Sequence, residues 1–163
     1  MRKRPPLDRI DLRILAELQT NGRIRNTQLA EVAGLSESPC LQRVKKLEQS
    51  GIIAGYRAEV DVGLLAEAVH VFTEITLSDH RRQDFEAFER GIAGFPEVLE
   101  CHLVSGGYDY LVKFVAGSVA AYQACIDRVL DADLGIEKYF SYVVIKSPIA
   151  GRPAPVGRLV ALD

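Results

Sequence analysis

The sequence predicts an α+β protein in two parts: a helical unit over residues 1–60 and a βαββαβ unit over residues 69–163, joined by a linker at 61–68. Two changes along the chain carry that expectation. Apolar residues recur at helical spacing through about residue 50, and from Val69 onward strand-like alternation appears between helical stretches. The charge also changes sign, since residues 1–60 hold 11 Lys+Arg against 7 Asp+Glu while the remainder holds 9 against 15. A basic first third on an acidic remainder suggests a nucleic-acid-facing module attached to one that does not bind nucleic acid.

The helices come first. Leu7, Ile10, Ile14, Leu15 and Leu18 share one helical stripe, Asp8 is placed to cap it, and Asn21-Gly22 ends it. A shorter helix starts near Asn26 or Thr27, buries Leu29, Ala30 and Ala33, and closes at Gly34. The third begins at Ser36 or Ser38, and either start puts Pro39 in the first turn. There the missing N–H costs little and the fixed φ suits a helix, so Pro39 opens this helix and does not break it.

Along that third helix Cys40, Val44 and Leu47 make an apolar face with Leu41 at its margin. Ser38, Gln42, Lys45, Lys46 and Gln49 share the opposite face, with Arg43 at its edge. A short helix, a Gly-containing turn and a second helix with a polar, basic face form a helix-turn-helix, whose second helix enters the DNA major groove. In that reading Ser36, Ser38, Pro39, Gln42 and Arg43 lie toward base edges, and Lys45 and Lys46 neutralise phosphates. Residues 51–57 lead into an extended segment, as in a winged variant, from which Arg57 can reach a phosphate. By spacing alone, the rival is a three-helix bundle with a solvated charged face, and the DNA-binding reading is the preferred of the two.

In the second unit, residues 69–77, 98–105, 108–115 and 136–146 read as strands, and 82–94 and 118–133 as amphipathic helices. The order βαββαβ is the ferredoxin-like pattern. Gly106-Gly107 predicts a tight hairpin between the second and third strands. Two strands are apolar on both faces: Leu111 and Val115 against Val112 and Phe114, and Val143 and Ile145 against Phe140 and Val144. Helices cover only one side of an antiparallel sheet, so the other side is expected to pack on a second copy, with Val112 in that homodimer interface. Residues 147–157 are loop-like, and 158–162 read as a short edge strand.

Several classes of chemistry are excluded by motif. There is no G-x-S-x-G, H-E-x-x-H, Walker loop or dinucleotide-binding glycine pattern, so no enzyme is expected. Cys40, Cys101 and Cys125 lack C-x-x-C spacing and read as reduced thiols, and His70, His80 and His102 are too scattered for a metal site. No metal or cofactor is expected. No apolar run approaches the roughly 18–20 residues that span a bilayer, and the basic N-terminus is not followed by a signal-peptide core. The expected location is the cytoplasm.

Taken together, residues 7–15 (LDRIDLRIL), 29–56 (LAEVAGLSESPCLQRVKKLEQSGIIAGY) and 100–113 (ECHLVSGGYDYLVK) resemble the Lrp/AsnC, or feast/famine, family of transcription regulators over nearly the whole chain. That resemblance implies a winged helix-turn-helix followed by a ferredoxin-like, RAM-type domain that binds an effector. It implies double-stranded DNA as one partner and a small amino acid, leucine or another, as the other. It also implies a dimer that commonly assembles into an octamer, with the ligand between dimers. The family's effector loop falls on Ser105, Gly106, Gly107, Tyr108 and Asp109, with Leu103 and Val143 as neighbours. Such a loop has a physical logic. Glycines let backbone N–H groups approach a carboxylate, and Asp109 is expected to pair with an α-ammonium. Read from the residues alone, without that resemblance, Gly-Gly-Tyr-Asp reads first as a plain hairpin turn. Two rivals to the regulator stay open at this point: a stand-alone metabolite-binding oligomer whose helices make protein contacts, and a DNA-binding protein without an effector.

Overall fold

A computed structural model describes residues 6–160. It divides into a helical unit, described over residues 6–59 with 149–160, and a sheet unit, residues 60–148. The C-terminal segment from Ile149 therefore belongs with the helices, against the expected division at 69–163.

In the helical unit, α1 (Arg9–Thr20) starts in a capping box. Asp8 Oδ1 accepts from the N–H groups of Ile10 and Asp11 at 2.9 Å each, and the Asp11 carboxylate accepts from Asp8 N–H at 3.1 Å. Such caps contribute about 1 kcal/mol by satisfying otherwise orphaned donors. Next, α2 (Asn26–Ala33) ends at Gly34, whose φ of 70° is the left-handed conformation that favours glycine. After it, α3 (Glu37–Gln49) starts at Ser36 with Pro39 as its third residue, as the sequence predicts. Leu12, Ile14, Leu15, Leu29, Ala30, Ala33, Cys40 and Leu47 are buried together as this unit's core.

The end of the chain is where expectation and structure part. Instead of an edge strand at 158–162, the final described element is a short helix, α6 (Val156–Leu159), whose label follows the elements of the sheet unit below. Ala161 and Leu162 lie outside the described residues. Val156 and Val160 pack on the helical core. Gln19 holds the segment in place, its Nε2 donating to the Ala154 carbonyl at 3.2 Å and its Oε1 accepting from Ala154 N–H at 3.0 Å. Between α3 and the sheet unit, residues 55–61 form neither helix nor strand, and a single 3₁₀ turn occupies Val62–Leu64.

The sheet unit runs β1 (Val69–Leu77), α4 (Arg82–Ile92), β2 (Val98–Leu103), β3 (Tyr110–Ala116), α5 (Val119–Asp131) and β4 (Ile136–Val143). The sheet order is β2-β3-β1-β4, with every neighbour antiparallel. One face is covered. Val71, Ile75 and Leu77 of β1 and Tyr110, Val112 and Phe114 of β3 pack with Phe88, Ile92, Tyr122, Cys125, Ile126 and Val129 from the helices. Gly91 permits close packing, because a Cβ there would run into the Leu134 side chain. The one buried polar residue on β1, Thr73, shares a 2.8 Å hydrogen bond with Tyr122 Oη.

Val112 is a core residue and 0% exposed, which corrects its expected place in an interface. The strand alternation is legible in sequence, but both faces of β3 are apolar, so nothing local says which one the helices cover. The open face carries Phe72, Leu111, Val115, Phe140 and Tyr142, interspersed with Glu74, Glu100, His102 and Lys113. Lys113 Nζ meets Glu100 at 2.8 Å there. That pairing, more than the 3.2 Å contact with His102, holds the Glu100 carboxyl below its ordinary range.

Candidate DNA-binding face and effector loop

The outward face of α3 carries the predicted residues, with one exception. Ser36, Ser38, Pro39, Gln42, Lys45 and Lys46 are exposed, as is Arg57 beyond the helix. Buried Cys40 and Leu47 turn the opposite side into the core. Ser36 makes no side-chain cap, so its hydroxyl stays available to a phosphate or base.

Arg43 is the exception. Its Nη1 lies 2.7 Å from Asp8 Oδ2 and 2.7 Å from Asp11 Oδ1. The guanidinium therefore ties α3 to the N-terminus of α1, an engagement that the expectation of a base-edge role did not include. Both carboxylates belong to the capping box that starts α1. The Asp8 carboxyl is held below its ordinary value chiefly by the Asp11 N–H and then by Arg43. Arg43 is in turn pushed up by Asp11 first and Asp8 second. The signal was available in part, since Arg43 sits at the edge of the polar stripe, but its acidic partners are more than thirty residues away. Tyr56 makes a comparable link, donating to Glu48 at 3.0 Å.

In the sheet unit the loop between β2 and β3 is wider than the expected two-residue hairpin. Leu103 pairs with Tyr110, so six residues, 104–109, make the turn. Gly106 and Gly107 do not adopt positive φ, and a Cβ on either would meet nothing within 4 Å. The chain's own packing does not require glycine there. Among the described residues, the N–H groups of Ser105, Gly106, Gly107 and Tyr108 donate no hydrogen bond. Four successive N–H groups are thus left to solvent or to a ligand, and backbone donors of this kind pair with anionic groups.

Asp109 closes the loop. Its Oδ2 accepts from Leu77 N–H at 2.8 Å and lies 3.0 Å from His80 Nε2. Its own N–H donates to the Ile75 carbonyl at 3.0 Å and its carbonyl accepts from Val104 N–H at 2.9 Å. With the side chain only 17% exposed, Asp109 fastens the loop to the end of β1, and one of its two carboxylate oxygens already has two partners. His80, which sequence reasoning passed over, is the partner that only the fold reveals.

The two flanking candidates diverge. Leu103 is 60% exposed and aligns with Ile75 and Tyr139, whereas Val143 is 43% exposed and aligns with Val71 and Phe114. From Val71 to Ile75 is about 13 Å along the strand, and three strand spacings are about 14 Å across the sheet. Leu103 and Val143 thus sit at opposite ends of opposite edges of one sheet, and a single chain does not bring them together. Among the described residues no cluster of His, Cys, Asp and Glu could hold a metal ion.

A helix-turn-helix with an exposed polar, basic recognition helix, followed by an antiparallel βαββαβ unit, defines a DNA-binding transcription regulator with a separate ligand-binding domain. The chain belongs to the Lrp/AsnC family of such regulators. Residues 7–54 match the winged helix-turn-helix DNA-binding family and residues 70–154 the Lrp/AsnC ligand binding domain. The chain is 46% identical to the transcriptional regulatory protein DoeX of Halomonas elongata, over 86% of this chain and 89% of that one. It is 42% identical to the leucine-responsive regulatory protein of Escherichia coli, over 89% and 90%. Among solved structures it resembles a transcriptional regulator of Neisseria meningitidis in complex with L-Met, with a TM-score of 0.88, 30% identity, and 95% and 100% of the two chains covered. Family members are regulators and not enzymes, in line with the missing catalytic motifs.

Proposed function

We propose that this regulator acts in the cytoplasm, binds operators through α3, and takes a small amino acid as effector at the 104–109 loop. The supporting observation is the run of four free N–H donors from Ser105 to Tyr108, two of them on glycines that the chain's own packing does not demand. An α-carboxylate pairs with free backbone donors of this kind, while the exposed Leu103 side chain offers apolar surface to the rest of the ligand. Leucine and methionine head the candidates, by the names of the relatives above. Asp109 serves here as the latch that shapes the loop.

The open face of the sheet, with Phe72, Leu111, Phe140 and Tyr142, is the homodimer interface in this reading. Val143 is too far from the loop of its own chain to touch the same ligand. It enters a site only from another copy, which accords with a ligand held between dimers and with assembly toward an octamer. The experiment is a thermal-shift screen of the twenty amino acids, followed by sedimentation with and without each hit. A hit is expected to raise the melting temperature and alter assembly, and Gly107→Val is expected to abolish that response while leaving the ligand-free melt unchanged. If no amino acid moves either observable, or Gly107→Val responds as wild type does, the site is wrong.

A further inference from the structure

The recognition helix carries one large apolar side chain at the margin of its packed face that stays largely clear of the core. Leu41 is 44% exposed, while Cys40 and Leu47 are buried in the core behind it. Its neighbours one turn away on the helix surface are Glu37, Ser38, Val44 and Lys45, of which only Val44 packs on the core. Leu41 thus stands beside the Ser38–Gln42–Lys45 line that faces outward, in the N-terminal half of α3, where a recognition helix reaches base edges. An exposed leucine amid serine, glutamine and lysine gains nothing in the free protein. A duplex offers it one apolar target in the major groove, the 5-methyl group of thymine.

We propose that Leu41 is a specificity-determining residue that reads a thymine methyl in the operator. Charge complementarity sets the occupant: Lys45 and Lys46 follow on the same helix, both exposed, and bring the phosphate backbone to this face. Ser38 and Gln42 hydrogen-bond neighbouring base edges, and Leu41 supplies the contact that neither can make. The inference rests on the assignment of α3 as the DNA-contacting helix and deepens it by naming the base.

The test separates the two. Duplexes are first selected from a random-sequence library with the full-length chain, and salt dependence is measured on the selected site. Each thymine is then replaced in turn by deoxyuridine, which removes only the methyl group. At least one replacement is expected to weaken wild-type binding about fourfold, the worth of one buried methyl group. Leu41→Ala is expected to bind the thymine and deoxyuridine versions of that site equally. The uridine series uses the unaltered protein, so the expectation does not depend on any variant folding. If no replacement changes affinity by more than about twofold, or Leu41→Ala keeps the full methyl effect, the proposal is overturned. A chain that binds no duplex in a salt-dependent way would overturn the assignment of α3 itself.

Discussion

Arg43 in the helical unit and Asp109 in the sheet unit invite comparison, because both look like ligand-binding groups in the sequence and both hold their own fold. Arg43 sits at the edge of a basic helix face, yet it bridges Asp8 and Asp11 of α1. Asp109 follows a glycine pair in an effector loop, yet its carboxylate binds Leu77 N–H and His80. The two differ in what they fasten. Arg43 joins two helices through other side chains, and its own side chain stays 31% exposed. Asp109 satisfies a backbone donor at the end of a central strand and is more enclosed. The lesson is that a charged residue bordering a functional face is often what positions that face.

The sharpest way to break the comparison is Asp109→Ala. It leaves the part-buried Leu77 N–H without an acceptor and frees one end of the loop, so the sheet unit is expected to lose about 1.5–3 kcal/mol in a denaturant melt. Asp109→Asn keeps a carbonyl oxygen for that N–H and is expected to recover much of the loss. An Asp109→Ala protein as stable as wild type would make Asp109 a ligand residue after all.

Arg43→Ala is expected to cost less, about 1 kcal/mol, because Asp8 is half exposed, Asp11 keeps the Asp8 N–H as a donor, and α3 keeps its apolar face. Operator affinity should then fall alike on specific and random duplexes, since the helix is less firmly held. Gln42→Ala should instead narrow the gap between the two by about 1–3 kcal/mol. A loss of base preference in Arg43→Ala that matches Gln42→Ala would return Arg43 to the base-reading set.

The smallest effect is in pH. Asp8 has its carboxyl lowered from an ordinary 3.8. A depressed acid contributes stability that is fully present above the unfolded value and is lost as pH falls through the lower folded one. Stability curves of wild type and Arg43→Met are thus expected to run apart at neutral pH and to converge below about pH 4, as the Asp8 carboxylate is protonated. Curves that stay parallel across that range would remove the ion pair from the stability of this unit.

Much of this protein was readable before any fold was known. The Asp8 cap, the stop at Gly34 and the placement of Pro39 in the first turn of α3 depend on neighbours within four residues, and the structure agrees with each. The same holds for the βαββαβ order, which rests on hydrophobic period alone. What sequence could not decide are partnerships across distance: Arg43 with Asp8 and Asp11, Asp109 with His80, and Gln19 with Ala154, 135 positions apart. Nor could it say which apolar face of β3 the helices would cover, because a strand apolar on both sides satisfies the local pattern either way. Local rules act through a few bonds and one turn of backbone, so sequence alone determines the elements and their caps. Which side chains meet depends on how those elements pack, and only the tertiary structure settles whether a charge waits for a ligand or already has a partner.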